Sequence, residues 1–317
     1  SHSSSKGSSM STSSTTPSSG YRKGIRERIM DCISSQDTNN DAHQMLADED
    51  TDNRESDTSF LRELTRTPLS KVWNQYRHKK WGQDPSLPPL EELESQLIQM
   101  VPSYCAYFRT GKNSMIDCLF VPLFPVQRAR LEDTIQRGMI SRKSLHFRFN
   151  RQIDSVSSNL LDYLTNVDLF DHLAVSCEVV ENGEWRTVAT ARTIREIDNP
   201  EWAEWAAIVA DPYHCNTIGS CLLYYLSAVA YNAGVRMLYA VVNPANAPVI
   251  HWMRKLGAKV QMRQGVNVWC FPLPIPESWV ANETVRGEIE RSCKGENSIP
   301  ESVKQHIKEN IQSMRDL

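Results

Sequence analysis

The sequence predicts an α/β fold: a mixed central β-sheet flanked by helices, with a helical N-terminal extension before it and a helical C-terminal tail after it. Three observations lead there. An apolar run at 205–209 passes through a tight turn into a long apolar helix, and a β-rich run at 235–242 passes through an Asn/Pro boundary into a second helix. Segments 173–180 and 187–194 flank Glu181, Asn182, Gly183 and Glu184, which reads as a hairpin. With 317 residues, 40% hydrophobic and 23% charged, the chain is long enough for a sizeable core and one or two domains.

Composition excludes several classes of function. A net charge of -3 gives no global drive toward nucleic acid or an anionic membrane. No apolar run approaches bilayer-spanning length and no charged-then-apolar signal opens the sequence, so an intracellular, cytoplasmic protein is expected. The basic segment at 21–28 keeps an organellar address as the alternative. Eight cysteines show no CxxC pair and no zinc spacing, which predicts buried free thiols and no metal site. Cys215 is the exception, because a helix N-terminus is a place that lowers a thiol pKa.

Taken in order, residues 1–59 are a Ser/Thr-rich and then acidic leader, too poor in large apolar side chains to order itself. Residues 60–113 are expected to be a helical extension: Phe60, Leu61, Leu64, Leu69, Val72, Trp73 and Tyr76 lie at helical spacing broken near Pro68, and a second helix spans 90–100. Arg77, His78, Lys79, Lys80 and Trp81 read as an exposed helix end in preference to a nucleic-acid contact. The main domain, 114–273, is expected to open with a strand at 116–123, followed by helices near 126–137, 141–147 and 160–164. After the hairpin, strands at 205–209, 235–242 and 265–272 complete the sheet. In the tail, 274–317, Val303, Ile307, Ile311 and Met314 form a thin apolar stripe expected to dock on the chain's own domain.

The chemistry is expected between 203 and 257. The turn Asp211, Pro212, Tyr213, His214, Cys215, Asn216 leads into a helix whose first turn begins near Thr217, Ile218, Gly219 and Ser220. Unpaired N–H groups at a helix start carry partial positive charge and can hold a phosphate without a lysine. Further on, Asn243 and Asn246 with Pro248 mark a capped helix start, and Val249, Ile250, Met253 and Leu256 follow at helical spacing up to Gly257. Strand alternation sets Glu204 opposite its apolar neighbours.

These residues resemble the GNAT superfamily of acetyl-CoA-dependent N-acetyltransferases, and within it the bacterial protein lysine acetyltransferases of the Pat type. The resemblance covers about 115–273. It is carried by Arg148-Phe149, the run Tyr163 to Asp168, Asp171-His172, Ala189-Thr190-Ala191-Arg192, Ala203-Glu204-Trp205-Ala206, Ile218-Gly219-Ser220, and Asn246 through Gly257. It implies a GNAT-like sheet with acetyl-CoA as cosubstrate and an amine acceptor, either a protein lysine or another amine. Glu204 would be the general base, and His172 a residue on the acceptor side of the cleft or in regulation. Ile208, Val209 and Ala210 would line the cosubstrate, with a backbone N–H near Val209 or Ala210 stabilising charge on the thioester oxygen. His214, Cys215, Asn216, Thr217, Ile218, Gly219 and Ser220 would hold the pyrophosphate, and Asn246 the pantetheine arm or its backbone. Met253 occupies the place where many members have a Tyr that protonates the leaving thiolate. Other departures are His214 in place of Gln or Arg, and Cys215 and Thr217 in place of glycines; the Thr217 β-carbon would crowd a phosphate or force a turn that glycine adopts freely. A non-catalytic GNAT-like interaction module with a degenerate acetyl-CoA site is therefore the alternative expectation.

Overall fold

A computed structural model describes residues 66–317 apart from 83, 113, 114, 154 and 264. The leader, Cys32 and the helical residues expected at Phe60, Leu61 and Leu64 lie outside the described residues. Helix α1 (Pro68–Lys80) begins where the spacing breaks: Pro68 takes the first helical position, where its missing N–H costs nothing, and the Thr67 side chain accepts from Ser70 N–H. Its C-terminal Arg77, His78, Lys79 and Lys80 end at an exposed Trp81. Helix α2 (Leu90–Met100) follows.

Eight strands form one sheet in the order β1-β2-β3-β4-β5-β6-β8-β7. They are β1 (Ala106–Thr110), β2 (Ile116–Pro122), β3 (His172–Glu181), β4 (Glu184–Arg195), β5 (Trp202–Val209), β6 (Met237–Ala240), β7 (Lys259–Arg263) and β8 (Val266–Pro272). All neighbours are antiparallel except β5 and β6, the parallel pair. Two strands correct the sequence expectation. Strand β1 lies inside the stretch expected to be helical and pairs with β2 through a short hairpin, and β7 is an edge strand whose side chains are almost all exposed.

Helices cover both faces. On one lies α6 (Ile218–Asn232), apolar nearly all round and packed on β3, β4 and β5, with α8 (Glu283–Lys294) beside it. On the other lie α3 (Gln127–Gln136), α4 (Arg142–Phe149) and α5 (Ser158–Thr165) over β4 and β5. Over β2 and β3, α1, α2 and α9 (Glu301–Ser313) form a second core around Trp73, Leu93, Leu97, Leu119 and Val121. The tail stripe docks as expected, since Val303, Ile307, Ile311 and Met314 are buried in that core. Helix α7 (Ala247–Lys255) follows β6. No helix among the described residues is long and apolar enough to cross a membrane.

Candidate active site

The sheet opens at its parallel pair. Strand β5 runs to Val209, but β6 pairs with it only from Trp202 to Glu204. Beyond Glu204 the two strands part, and a cleft of about 860 Å³ lies between β5, the turn after it, β6 and the start of α7. That volume is in the range of small-molecule and cofactor sites.

The opening leaves backbone groups facing the cleft. Ala210 N–H donates to Val188 O (2.8 Å), so it is not the free donor expected there. Alternation along an antiparallel strand then turns the N–H and C=O groups of Val209 and Ala207 away from β4, toward the edge that β6 has left. Consistent with this, Val209 O meets His214 Nε2 at 2.8 Å.

The turn after β5 is shaped by two residues in left-handed backbone, Cys215 (φ 63°) and Thr217 (φ 65°). These are the positions where glycine was missed, and a non-glycine residue there costs about 1 kcal/mol. The Thr217 hydroxyl contacts Thr110 Oγ1 at the end of β1 and its own neighbour's carbonyl, Asn216 O. At the start of α6 a helix-closing bond runs from Cys221 N–H to Thr217 O (3.0 Å), and the N–H groups of Ile218, Gly219 and Ser220 precede it at the cleft wall. Gly219 has a packing role as well. A β-carbon there would stand 2.7 Å from Cη2 of Trp252 on α7, a cleft residue that the sequence did not single out.

Two further elements close the site. Helix α4 is tied to the turn by Ser144 Oγ donating to Asp211 Oδ1 (2.6 Å). Burial pushes the Asp211 carboxyl up, but hydrogen bonds from Ser141 and Ser144 and the nearby His214 outweigh it, and the group sits below the usual carboxylate range. At the other end of α4, Asn150 takes a left-handed C-cap (φ 52°) and its amide donates to Val241 O (3.1 Å), spanning from α4 to the segment after β6. Asn246 accepts from Val249 N–H (3.4 Å) and caps α7, as its position in the sequence predicts.

Glu204 lines the cleft where the strands part and is half-buried. Arg148 of α4 lines the same wall and attracts it electrostatically; burial pushes the Arg148 guanidinium down, and Glu204 and Tyr163 oppose that. Behind them Arg192, 2% exposed, donates to Leu164 O (2.9 Å) and meets His172 Nε2 (3.1 Å). Burial and then the neighbouring Arg148 lower its pKa to about 9. His172 lies in the same cross-strand row as Glu204, through Ile194, but it is held against Arg192 and Tyr163 and is not part of the cleft wall.

Of the expected site residues, Glu204, Ile208, Val209, His214, Cys215, Asn216, Thr217, Ile218, Gly219, Ser220 and Asn246 all line the one cleft. Ala210 and Met253 do not. Both are fully buried, Met253 because it falls on the inward stripe of α7, so no acid or cosubstrate contact comes from that position. The remaining described cysteines are buried free thiols, and burial raises Cys177, Cys221 and Cys293 above the ordinary thiol range; Cys215 alone is exposed. Among the described residues no cluster of three or more His, Cys, Asp or Glu could hold a metal ion.

Residues 145–258 match the model of the acetyltransferase (GNAT) family. The chain is also 33% identical over 128 residues to Acetyltransferase PA5475 of Pseudomonas aeruginosa, an alignment covering 40% of this chain and 67% of that protein. The chain belongs to the GNAT acetyltransferase family. This GNAT chain is likewise 32% identical over 155 residues to Acetyltransferase Pat of Mycolicibacterium smegmatis, covering 49% of this chain and 45% of that one, so it spans less than half of the Pat length. Among solved structures, the GNAT domain of S. lividans PAT aligns with a TM-score of 0.47 at 23% identity, over 54% of this chain and 97% of that domain. The yncA protein of Salmonella typhimurium, solved with its cofactor acetyl-CoA, aligns with a TM-score of 0.38 at 16% identity, over 50% of this chain and 94% of that one. Membership makes the chain an N-acetyltransferase whose cosubstrate is acetyl-CoA.

Proposed function

We propose that the chain moves the acetyl group of acetyl-CoA directly onto an amine, foremost a protein lysine, with Glu204 as general base. The observation that carries this reading is the position of Glu204 at the point where β5 and β6 part, in the same cleft as the helix start of α6. The residues fit the cosubstrate: the amides of Ile218, Gly219 and Ser220 suit a diphosphate, and the groove between the strands suits an extended arm. Acetyl-CoA, when bound, supplies the activated acyl carbon and a thiolate of low enough basicity to leave without a side-chain acid.

Each remaining task falls to this chain. Glu204 accepts the proton that the ammonium must lose before its lone pair forms the new C–N bond as the C–S bond breaks. Val209 and Ala207 N–H groups, aimed at the opening, stabilise charge on the thioester oxygen. Arg148 lines the same wall and its charge attracts the Glu204 carboxylate. The lysine acceptor draws its support from the likeness to Pat. The alternative of a non-catalytic module rested on Cys215, Thr217 and Met253. Against it stand the positive φ that both turn residues reach and the match to the acetyltransferase family; at Met253 the coenzyme A thiolate leaves without a side-chain acid.

Thermal unfolding with ligands tests the reading. At 100 times its dissociation constant, acetyl-CoA adds about 2.7 kcal/mol of stability, whereas ATP and NAD leave the midpoint unchanged. No shift at millimolar acetyl-CoA would contradict it. Mass spectrometry of a lysine peptide incubated with the chain and acetyl-CoA tests the acceptor, a mass gain of one acetyl group being expected.

A further inference from the structure

The turn that begins α6 contains no lysine or arginine between Asp211 and Ser220, and its N-cap, Thr217, does not cap. At φ 65° the Thr217 side chain makes no capping hydrogen bond, and its hydroxyl meets the Oγ1 of Thr110, the last residue of β1. Thr110 in turn pairs with Ile116 across the β1–β2 hairpin. The hairpin, which the sequence did not reveal, is thus fastened to the turn, and two residues beyond Thr110 the exposed Lys112 lines the cleft.

A second cation comes from another element. Lys143, in the first turn of α4, is exposed, lies 5.6 Å from the Phe147 ring centre and lines the cleft too; α4 is fixed to the turn by the bond between Ser144 and Asp211. Neither lysine forms an ion pair among the described residues. Two cations from separate elements therefore line the same cleft as the helix-start amides.

We propose that the β1–β2 hairpin is part of the cosubstrate site, Thr110 setting the Thr217 turn and Lys112, together with Lys143, contacting the phosphate groups of CoA. This rests on the acetyl-CoA reading above. The positive charge that the turn lacks comes from the hairpin, so the chain needs no Gln or Arg at position 214, and His214 is left to bind Val209 O. Thr110 is a positioning residue: it touches Thr217, not the ligand.

Calorimetric titration of CoA into the full chain, beside S-acetylpantetheine, which lacks the phosphates, separates the outcomes. Lys112→Gln is expected to raise the Kd for CoA about tenfold and to flatten its salt dependence, with acetylpantetheine affinity unchanged. Arg109→Gln removes the same charge from the same hairpin, at an exposed residue paired with Asp117, and is expected to change CoA affinity less than about twofold. Thr110→Val should weaken CoA severalfold while the circular dichroism spectrum stays that of the parent. A Lys112→Gln chain that binds CoA within about twofold of the parent, or that loses acetylpantetheine equally, overturns the proposal. A parent chain that binds no CoA overturns the acetyl-CoA reading itself.

Discussion

Glu178 and Glu204 stand on β3 and β5, the strands on either side of β4, and their surroundings could hardly differ more. Glu178 is 0% exposed. Its carboxylate meets His306 Nε2 at 2.7 Å, accepts from Arg130 at 3.2 Å and takes Gln127 Nε2 at 3.2 Å, while Trp185 stacks on His306. Burial pushes this carboxyl up, but the His306 hydrogen bond and the Arg130 charge outweigh it and hold it below the usual range. Glu204 lies where the sheet opens, with a cleft on one side and Arg148 beside it. A carboxylate enclosed by partners holds α3 and α9 to the sheet. One at an opening can exchange protons with a ligand.

Four substitutions or conditions sharpen that contrast, the first being the largest. Glu178→Ala leaves Arg130 and His306 facing an uncompensated pocket and is expected to cost about 3–5 kcal/mol, seen as a fall in Tm of about 10 °C. A loss under about 1 kcal/mol would mean that the enclosed network holds nothing together. Next comes acid. Because the folded Glu178 pKa is depressed, its contribution is present above the unfolded value of about 4.3 and is lost as pH falls through the lower folded value. Stability should therefore drop below about pH 4, and Glu178→Gln should flatten that limb relative to the parent. Glu204→Ala, at a half-buried position on the cleft wall, is expected to change unfolding free energy by less than about 1 kcal/mol in urea melts. Thr217→Gly should move stability least, within about 0.5 kcal/mol, since relief of left-handed strain is offset by a freer unfolded chain and by loss of the Thr110 contact.

How legible the molecule was in its sequence followed burial. The hairpin of β3 and β4, the helix of Leu90 to Met100 and the stripe of α9 all bury one face, so their periodicity shows. Strand β7 exposes nearly every residue, and β1 is five residues long beside two helices, so neither leaves a strong pattern. The turn residues of the site could be read because a helix start has its own punctuation. Even Met253 carried a signal, since Met253 shares the apolar spacing of Val249 and Leu256 that marks the inward side of α7. The opening of the sheet could not be read: it depends on where β6 stops pairing with β5, which is set by packing across the whole sheet. Lys112 and Asn150 stayed hidden for the same reason, each entering the site from an element distant in sequence.

Glu204→Gln offers the most direct test of the account. Glutamine keeps the size and hydrogen bonding of the side chain but cannot accept the ammonium proton. Steady-state acetylation and acetyl-CoA titration on the same preparation should show unchanged cosubstrate affinity and a turnover lower by about a hundredfold or more. The deficit should shrink as pH rises and more of the acceptor amine is already neutral. Turnover within about threefold of the parent at neutral pH, or an equal collapse of acetyl-CoA binding, would contradict the assignment of Glu204 as the base.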